Sequence, residues 1–219
     1  MTAFKFAWIV CALSAIAAAI VTLQIPDGVQ VPLHWGLDAT PDQYGPAWQG
    51  LFMPPAVMVF VLGIFSILKW IEPRQENLQK SMRARGGIAL GVVLMMLVLE
   101  VGNIAIALGN EMPMVRLVLF AVGIMLMVMG NFLGKTRSNF FIGIRTPWTL
   151  SSDEVWRKTH RLGGKLFMAS GAILMAGAWV LAEANLEYLI VAGVVPSTVI
   201  PVVYSWWLWR QEQSESKMD

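Results

Sequence analysis

The sequence predicts an all-α integral membrane protein of six transmembrane helices, with both termini cytoplasmic and a short interfacial helix between the fourth and fifth spans. Three observations predict it. Of 219 residues, 57% are hydrophobic and only 14% charged, against about 25% charged in a soluble domain, so the surplus apolar surface faces lipid. Six apolar runs reach or approach the roughly 20 helical residues that cross a hydrocarbon core. The Lys and Arg residues, finally, sort onto one side of those runs.

The runs are Phe6–Ile25, Leu51–Trp70, Gly87–Leu108, Met114–Leu133, Leu166–Ala182 and Tyr188–Trp209. Barrel strands would alternate polar and apolar residues, so continuous runs of this kind specify helices. The first run follows Lys5, which raises a cleaved signal peptide. Its apolar core exceeds the roughly 7–15 residues of a signal h-region, and five more spans follow, so it reads as a retained helix. With the N-terminus inside, all sixteen Lys and Arg residues except Arg116 fall in inside segments. The chain divides into a two-helix membrane region with an extracytoplasmic loop, 1–80, and a four-helix region, 81–219.

The net charge of +2 is explained by this topogenic bias, and nucleic-acid binding is not indicated. Cys11 is the one cysteine, inside the first span, which excludes a disulfide framework and a thiolate metal cluster. No cofactor and no metal site is expected. The run Met125–Met129 reads as adaptable packing, because adjacent helical residues do not converge on one ligand.

The outside segment Ile25–Gly50 holds four prolines, three aspartates and no basic residue. It reads as an ordered, turn-rich loop, a kind that often carries function. Its ligand candidates are Pro32, His34, Gly36, Asp38, Asp42 and Tyr44. His34, Asp38 and Asp42 make too thin a donor set for a cation, and Trp35, Tyr44 and Trp48 suit the membrane interface. The first inside loop, Lys69 to Arg85, reads as topogenic charge beside anionic headgroups.

The second inside loop, Thr136 to Lys165, is richer. Gly143 permits a turn or a close backbone approach, and Thr146 is pushed towards an extended conformation by Pro147. Ser151 and Glu154 have capping-box spacing, so a helix is expected to start near Ser152 and to end at Gly163-Gly164. On it Trp156, Thr159 or His160, and Gly163 share one face. Arg137, Asn139, Arg145 and the amides at the helix start suit a phosphate, a lipid headgroup or an acidic partner. The plainer reading is that the basic residues fix topology and the tryptophans sit in the interfacial belt.

Within the spans, Glu100 and Asn103 lie on one face of the third helix. Polar groups at membrane depth are expensive and are functional candidates by default. Asn131, at the end of the fourth span, reads as an interhelical hydrogen-bonding group. Gly87-x-x-x-Gly91 is a pattern that lets helices approach closely.

The residues from Asn131 to Gly163, N-x-x-G-K-x-x-x-N-x-x-I-G-I-R-T-P-W-T-L followed by Trp156 and Thr159-His160-Arg161, resemble the signature of the SdpI family of bacterial membrane proteins. Val31 to Gly45, VPLHWGLDATPDQYG, is similar to a domain of unknown function that often precedes that region, with Gly36 closer to His34 than the pattern has it. The resemblance implies a multi-pass protein of the bacterial cytoplasmic membrane, of the kind whose namesake gives immunity to a secreted peptide toxin and signals to a cytoplasmic regulator. It carries over no catalytic residue.

The function expected is therefore binding and signalling of the immunity type, with membrane lipids, an extracellular peptide toxin and a cytoplasmic regulator as partners. The partner or anionic-headgroup surface comprises Asn131, Lys135, Arg137, Asn139, Gly143 and Arg145, continuing through Pro147, Trp148, Trp156, His160 and Arg161. Nothing in the sequence sets an oligomeric state. The alternative is a small transporter or membrane enzyme with Glu100 as proton carrier or acid/base group. It requires a cavity that reaches Glu100. No nucleophile, base and orienter come together in the sequence, which argues against an enzyme.

Overall fold

The computed structural model describes residues 2–36 and 40–215. In chain order these form α1 (Ala3–Gln24), β1 (Gln30–Trp35), β2 (Pro41–Pro46), α2 (Ala47–Ile71), α3 (Gln75–Lys80) and α4 (Met82–Ala107). There follow α5 (Met114–Leu133), α6 (Pro147–Ser151), α7 (Asp153–Val180), a single 3-10 turn (Glu183–Asn185) and α8 (Leu186–Glu215). Six helices are long and apolar enough to cross a membrane, at the six places the apolar runs mark.

The spans pack as two groups sharing α4. On one side α1, α2 and α4 enclose Ala7, Cys11, Met58, Leu62, Ala89 and Val93. On the other, α4 lies against α5, α5 against α7 and α7 against α8, around Leu119, Leu126, Leu174, Ala178, Leu186 and Leu189. Large apolar side chains such as Leu23, Phe60 and Val180 are left exposed on the outside, where lipid supplies the contacts that a soluble core would.

Lipid tails are as apolar as leucine, so helix association in a membrane rests on close packing. The α5–α7 pair shows this. A Cβ on Gly123 would lie 2.7 Å from the carbonyl oxygen of Gly171, and one on Gly130 would lie 2.6 Å from that of Gly164. The order of partners inverts along the two helices, as an antiparallel pair requires. Between α4 and α5, Gly87 faces the Phe132 ring and a Cβ on Gly91 would meet Val128 at 3.2 Å, which is the close approach that this glycine pair suggests.

Three features depart from the sequence reading. The helix expected to end at Gly163-Gly164 continues through both residues to Val180. Glycine ends a helix where the chain turns away in a left-handed conformation; here both glycines stay helical and let α7 reach Ile144 and Gly130. The short helix of the connection is α6 instead. The residue capping α7 is Ser152, not Ser151: its Oγ accepts the Val155 N–H at 3.2 Å. The outside segment, read as turns, contains an antiparallel hairpin in which Val31 pairs with Gly45 and Pro32 with Tyr44.

The hairpin and the connections near Leu108 and Leu181 gather at one end of the bundle. The starts of α1 and α4, the residues 72–81 and the residues 134–152 gather at the other, where Ser152 donates to Glu212 of α8 at 2.9 Å. These are called below the hairpin face and the termini face.

Candidate functional site

On the termini face the two connections read separately in the sequence form one layer. Glu72 is buried; its Oε1 accepts the Arg74 N–H at 2.9 Å and its Oε2 the Phe140 N–H at 3.0 Å. The Arg74 guanidinium donates to the Ser138 hydroxyl and, at 3.1 Å, to the Leu150 carbonyl. Asn77 donates to the Ser138 carbonyl at 2.8 Å, and Ser81 Oγ accepts the Arg137 N–H at 2.9 Å. A buried carboxylate needs such partners to be tolerated. Residues 72–81 thus act as a brace for 134–150, beyond their topogenic charge.

The family-like motif is the other half of this layer. Asn139 is fully buried, and its amide donates to the carbonyls of Arg137 and Ile142 while its oxygen accepts the N–H groups of Phe141 and Ile142. It folds the loop around itself. Gly143 has φ +129, a region that favours glycine, and rests against the rings of Trp156 and His160. Those rings stack, 3.9 Å apart. Trp156 Nε1 donates to the Thr136 carbonyl at 3.1 Å.

His160 is fully buried. A carbonyl only accepts, so the Nδ1 atom, 2.8 Å from the Trp156 carbonyl, carries the proton, and Nε2 accepts the Ile144 N–H at 2.8 Å. Thr146 caps α6 by accepting from the Thr149 N–H at 3.1 Å, with Pro147 as the first helical residue. Its hydroxyl also lies 3.1 Å from that of Ser205 in α8.

The candidate ligand residues therefore separate into two sets. Asn139, Gly143, Trp156 and His160 are spent on holding the loop, and Pro147 starts α6. Asn131 is exposed, and its Oδ1 accepts from Lys135 one turn on, at 3.4 Å, so it is not the interhelical group the sequence suggests. Arg145 is exposed and donates to the Phe140 carbonyl at 2.6 Å, while Trp148 is half-buried. Lys135, Arg137 and Arg161 come together in a cleft of about 550 Å³ with Arg157, which lies one turn from Arg161 on the helix, and with Lys80, which the sequence reading did not group with them.

On the hairpin face, His34 Nδ1 lies 2.6 Å from Asp42 Oδ1 across the two strands, both side chains largely exposed. The Gly36 N–H donates to the Thr40 carbonyl at 2.8 Å, and Tyr44 is exposed. Asp38 lies outside the described residues. Beneath the hairpin is a mainly apolar cavity of about 410 Å³ between α2, α4, α5 and the start of α8, lined by Leu33, Trp35, Met53, Val57, Met96 and Leu99 among others. Arg116, the one basic residue expected outside, donates to the carbonyls of Ala178 and Leu181 at 2.6 and 3.0 Å and so closes the C-terminus of α7.

The two intramembrane polar residues have structural partners. Asn103 donates to the Gly50 carbonyl at 2.8 Å. That carbonyl is the one that Pro54, four residues on and lacking an N–H, leaves free in α2. Glu100 is 1% exposed; the Ser14 hydroxyl of α1 donates to its Oε2, and its Oε1 has no partner among the described residues. The apolar cavity reaches Asn103 but not Glu100, so it does not supply the substrate path that the transporter or enzyme alternative requires.

Six apolar helices, an apolar cavity at the hairpin face and a polar layer at the termini face fit a multi-pass protein of the cytoplasmic membrane. Residues 135–205 match the SdpI/YfhL protein family and residues 9–59 match a domain of unknown function, DUF1648. The Immunity protein SdpI of Bacillus subtilis (strain 168) is 28% identical over 187 residues, 85% of this chain and 84% of that protein. The chain is thus similar to the SdpI/YfhL family over residues 135–205, with the DUF1648 region ahead of that stretch. No solved structure matches.

Proposed function

We propose that the protein confers immunity to a membrane-active peptide by taking an apolar segment of it into the cavity beneath the hairpin. The observation that carries this is the cavity itself: about 410 Å³, mainly apolar and roofed by a hairpin whose His34, Asp42 and Tyr44 stay exposed. Its volume suits a few bulky side chains. Met53, Met96 and Met114 line it, and flexible, polarizable methionine adapts to varied apolar partners. The similarity to a protein named for immunity supports the same reading.

In this reading the hairpin face is extracytoplasmic and the termini face cytoplasmic, as the Lys and Arg distribution favours. Region 1–80 supplies the roof and part of the cavity wall, and region 81–219 the remaining wall and most of the basic inner surface. A ligand that binds one arrangement of α2, α4, α5 and α8 better than another would shift their population. The braced inner layer would present that shift to a cytoplasmic regulator.

The test is protection of sensitive cells challenged with a panel of membrane-active peptides. The parent chain is expected to protect against at least one. Val57→Trp and Leu99→Trp, which fill the cavity, should remove protection while the purified variants keep the parent melting temperature. His34→Ala should reduce it less, because an exposed polar contact such as that with Asp42 contributes about 1 kcal/mol or less. Absence of protection by the parent across the panel, or full protection by both tryptophan variants, would overturn the reading.

A further inference from the structure

We propose that the cleft on the termini face is a binding site for a phosphate-bearing anion. The reading stands on that face alone and is independent of peptide capture on the other. Lys80 comes to the cleft from α3, Lys135 and Arg137 from the segment after α5, and Arg157 and Arg161 from the first turns of α7. One acidic residue, Asp153, is among its walls. Topology requires only that basic residues lie on the inner side; it does not require cations from three separate segments to face one space of about 550 Å³.

The pairing of these cations is uneven. Arg157 is paired with Glu154, and Lys80 lies 3.8 Å from Glu76. Lys135 reaches the neutral amide of Asn131 and lies over the Phe132 ring, with no carboxylate partner among the described residues. The side chains of Arg137 and Arg161 are exposed and have no hydrogen-bond or ion-pair partner among the described residues. Two free guanidinium groups beside an ammonium whose charge no carboxylate offsets suit an oxyanion carrying more than one negative charge, and the planar donor fork of arginine matches phosphate oxygens in pairs.

The loop amides are already engaged: Lys135 and Thr136 donate to the carbonyls of Phe132 and Leu133, and Arg137 donates to Ser81. The anion is therefore held by side chains, which makes its binding sensitive to salt. The cleft sits where the apolar part of α5 ends at Leu133 and before that of α7 begins near Leu166. A phospholipid headgroup and a soluble phosphate compound both carry the required chemistry at that level.

The experiment uses the full chain, purified, in two arms. In the first, pyrophosphate is added in zwitterionic detergent and the melting temperature is followed. In the second, the chain is placed in nanodiscs mixing phosphatidylglycerol with phosphatidylcholine, and the lipid retained on mild extraction is weighed by native mass spectrometry. The parent is expected to show a rise in the first or selective retention of phosphatidylglycerol in the second, and which arm responds identifies the source.

Arg137→Gln with Arg161→Gln should weaken the response about tenfold or more. Arg83→Gln with Arg210→Gln, which removes equal charge from elsewhere on the same face, should leave it near the parent. Arg161→Lys alone keeps the charge without the fork and should fall between, providing a readout should the double variant not fold. No response by the parent in either arm overturns the proposal. So does an equal loss in the cleft and control variants, which would reduce the effect to general charge.

Discussion

His160 and Gly143 bind each other's roles. The imidazole accepts the Ile144 N–H through Nε2, and the preceding glycine lies so close to that nitrogen that a side chain has no room. With φ also in the left-handed half of the map, Gly143→Ala combines strain with collision and should destabilise the protein by about 2–4 kcal/mol. Thermal unfolding in detergent checks this; a variant melting with the parent would show that the loop does not depend on this contact. Arg145→Ala, two residues on, loses one exposed hydrogen bond and should change little. The residue types of this cluster stood out in the sequence, but not the direction of their side chains. Asn139 and His160 satisfy themselves inside the loop, and a hydrogen-bonding residue looks the same on paper whether its partner is a ligand or its own backbone.

At the scale of elements, the six spans were legible because apolar length is a one-dimensional property, read directly from consecutive residues. The α5–α7 seam was not read, although Gly123 and Gly130 share a spacing with Gly164 and Gly171. Gly163-Gly164 looked like a helix end because glycine serves both to stop a helix and to admit a neighbour, and only the packed partner decides between them. Gly130→Leu should force α5 from α7 against backbone atoms, costing about 3 kcal/mol or more, and should lower the melting temperature well beyond an exposed change on α7 such as Ile173→Leu. The hairpin was hidden for a different reason: its strands contain Pro32, Pro41, Gly45 and Pro46, residues that ordinarily argue for turns.

For the whole molecule, the two faces divide the chemistry, an apolar cavity on one and a cluster of positive charge on the other. The orientation is testable because Cys11 is buried and can be replaced by serine. In that background Asp27→Cys, on the hairpin face, should react with a membrane-impermeant maleimide in intact cells. Gln79→Cys, on the termini face, should react only after permeabilisation; both positions are exposed. The reverse pattern would invert the assignment and place the basic cleft outside. The sequence supported this orientation through charge alone. The joining of the two loops of the termini face was beyond its reach, since Glu72 and Phe140 are partners across two intervening spans.

That joining has a consequence for biosynthesis. The ribosome delivers residues 72–81 before α4, α5 and the segment that follows them. Until residues 138, 140 and 150 emerge, the Glu72 carboxylate, the Arg74 guanidinium and the Asn77 amide lack the intramolecular partners they have in the finished protein. The layer therefore cannot close until four spans have been made, and the residues that close it precede α7 and α8 in the chain.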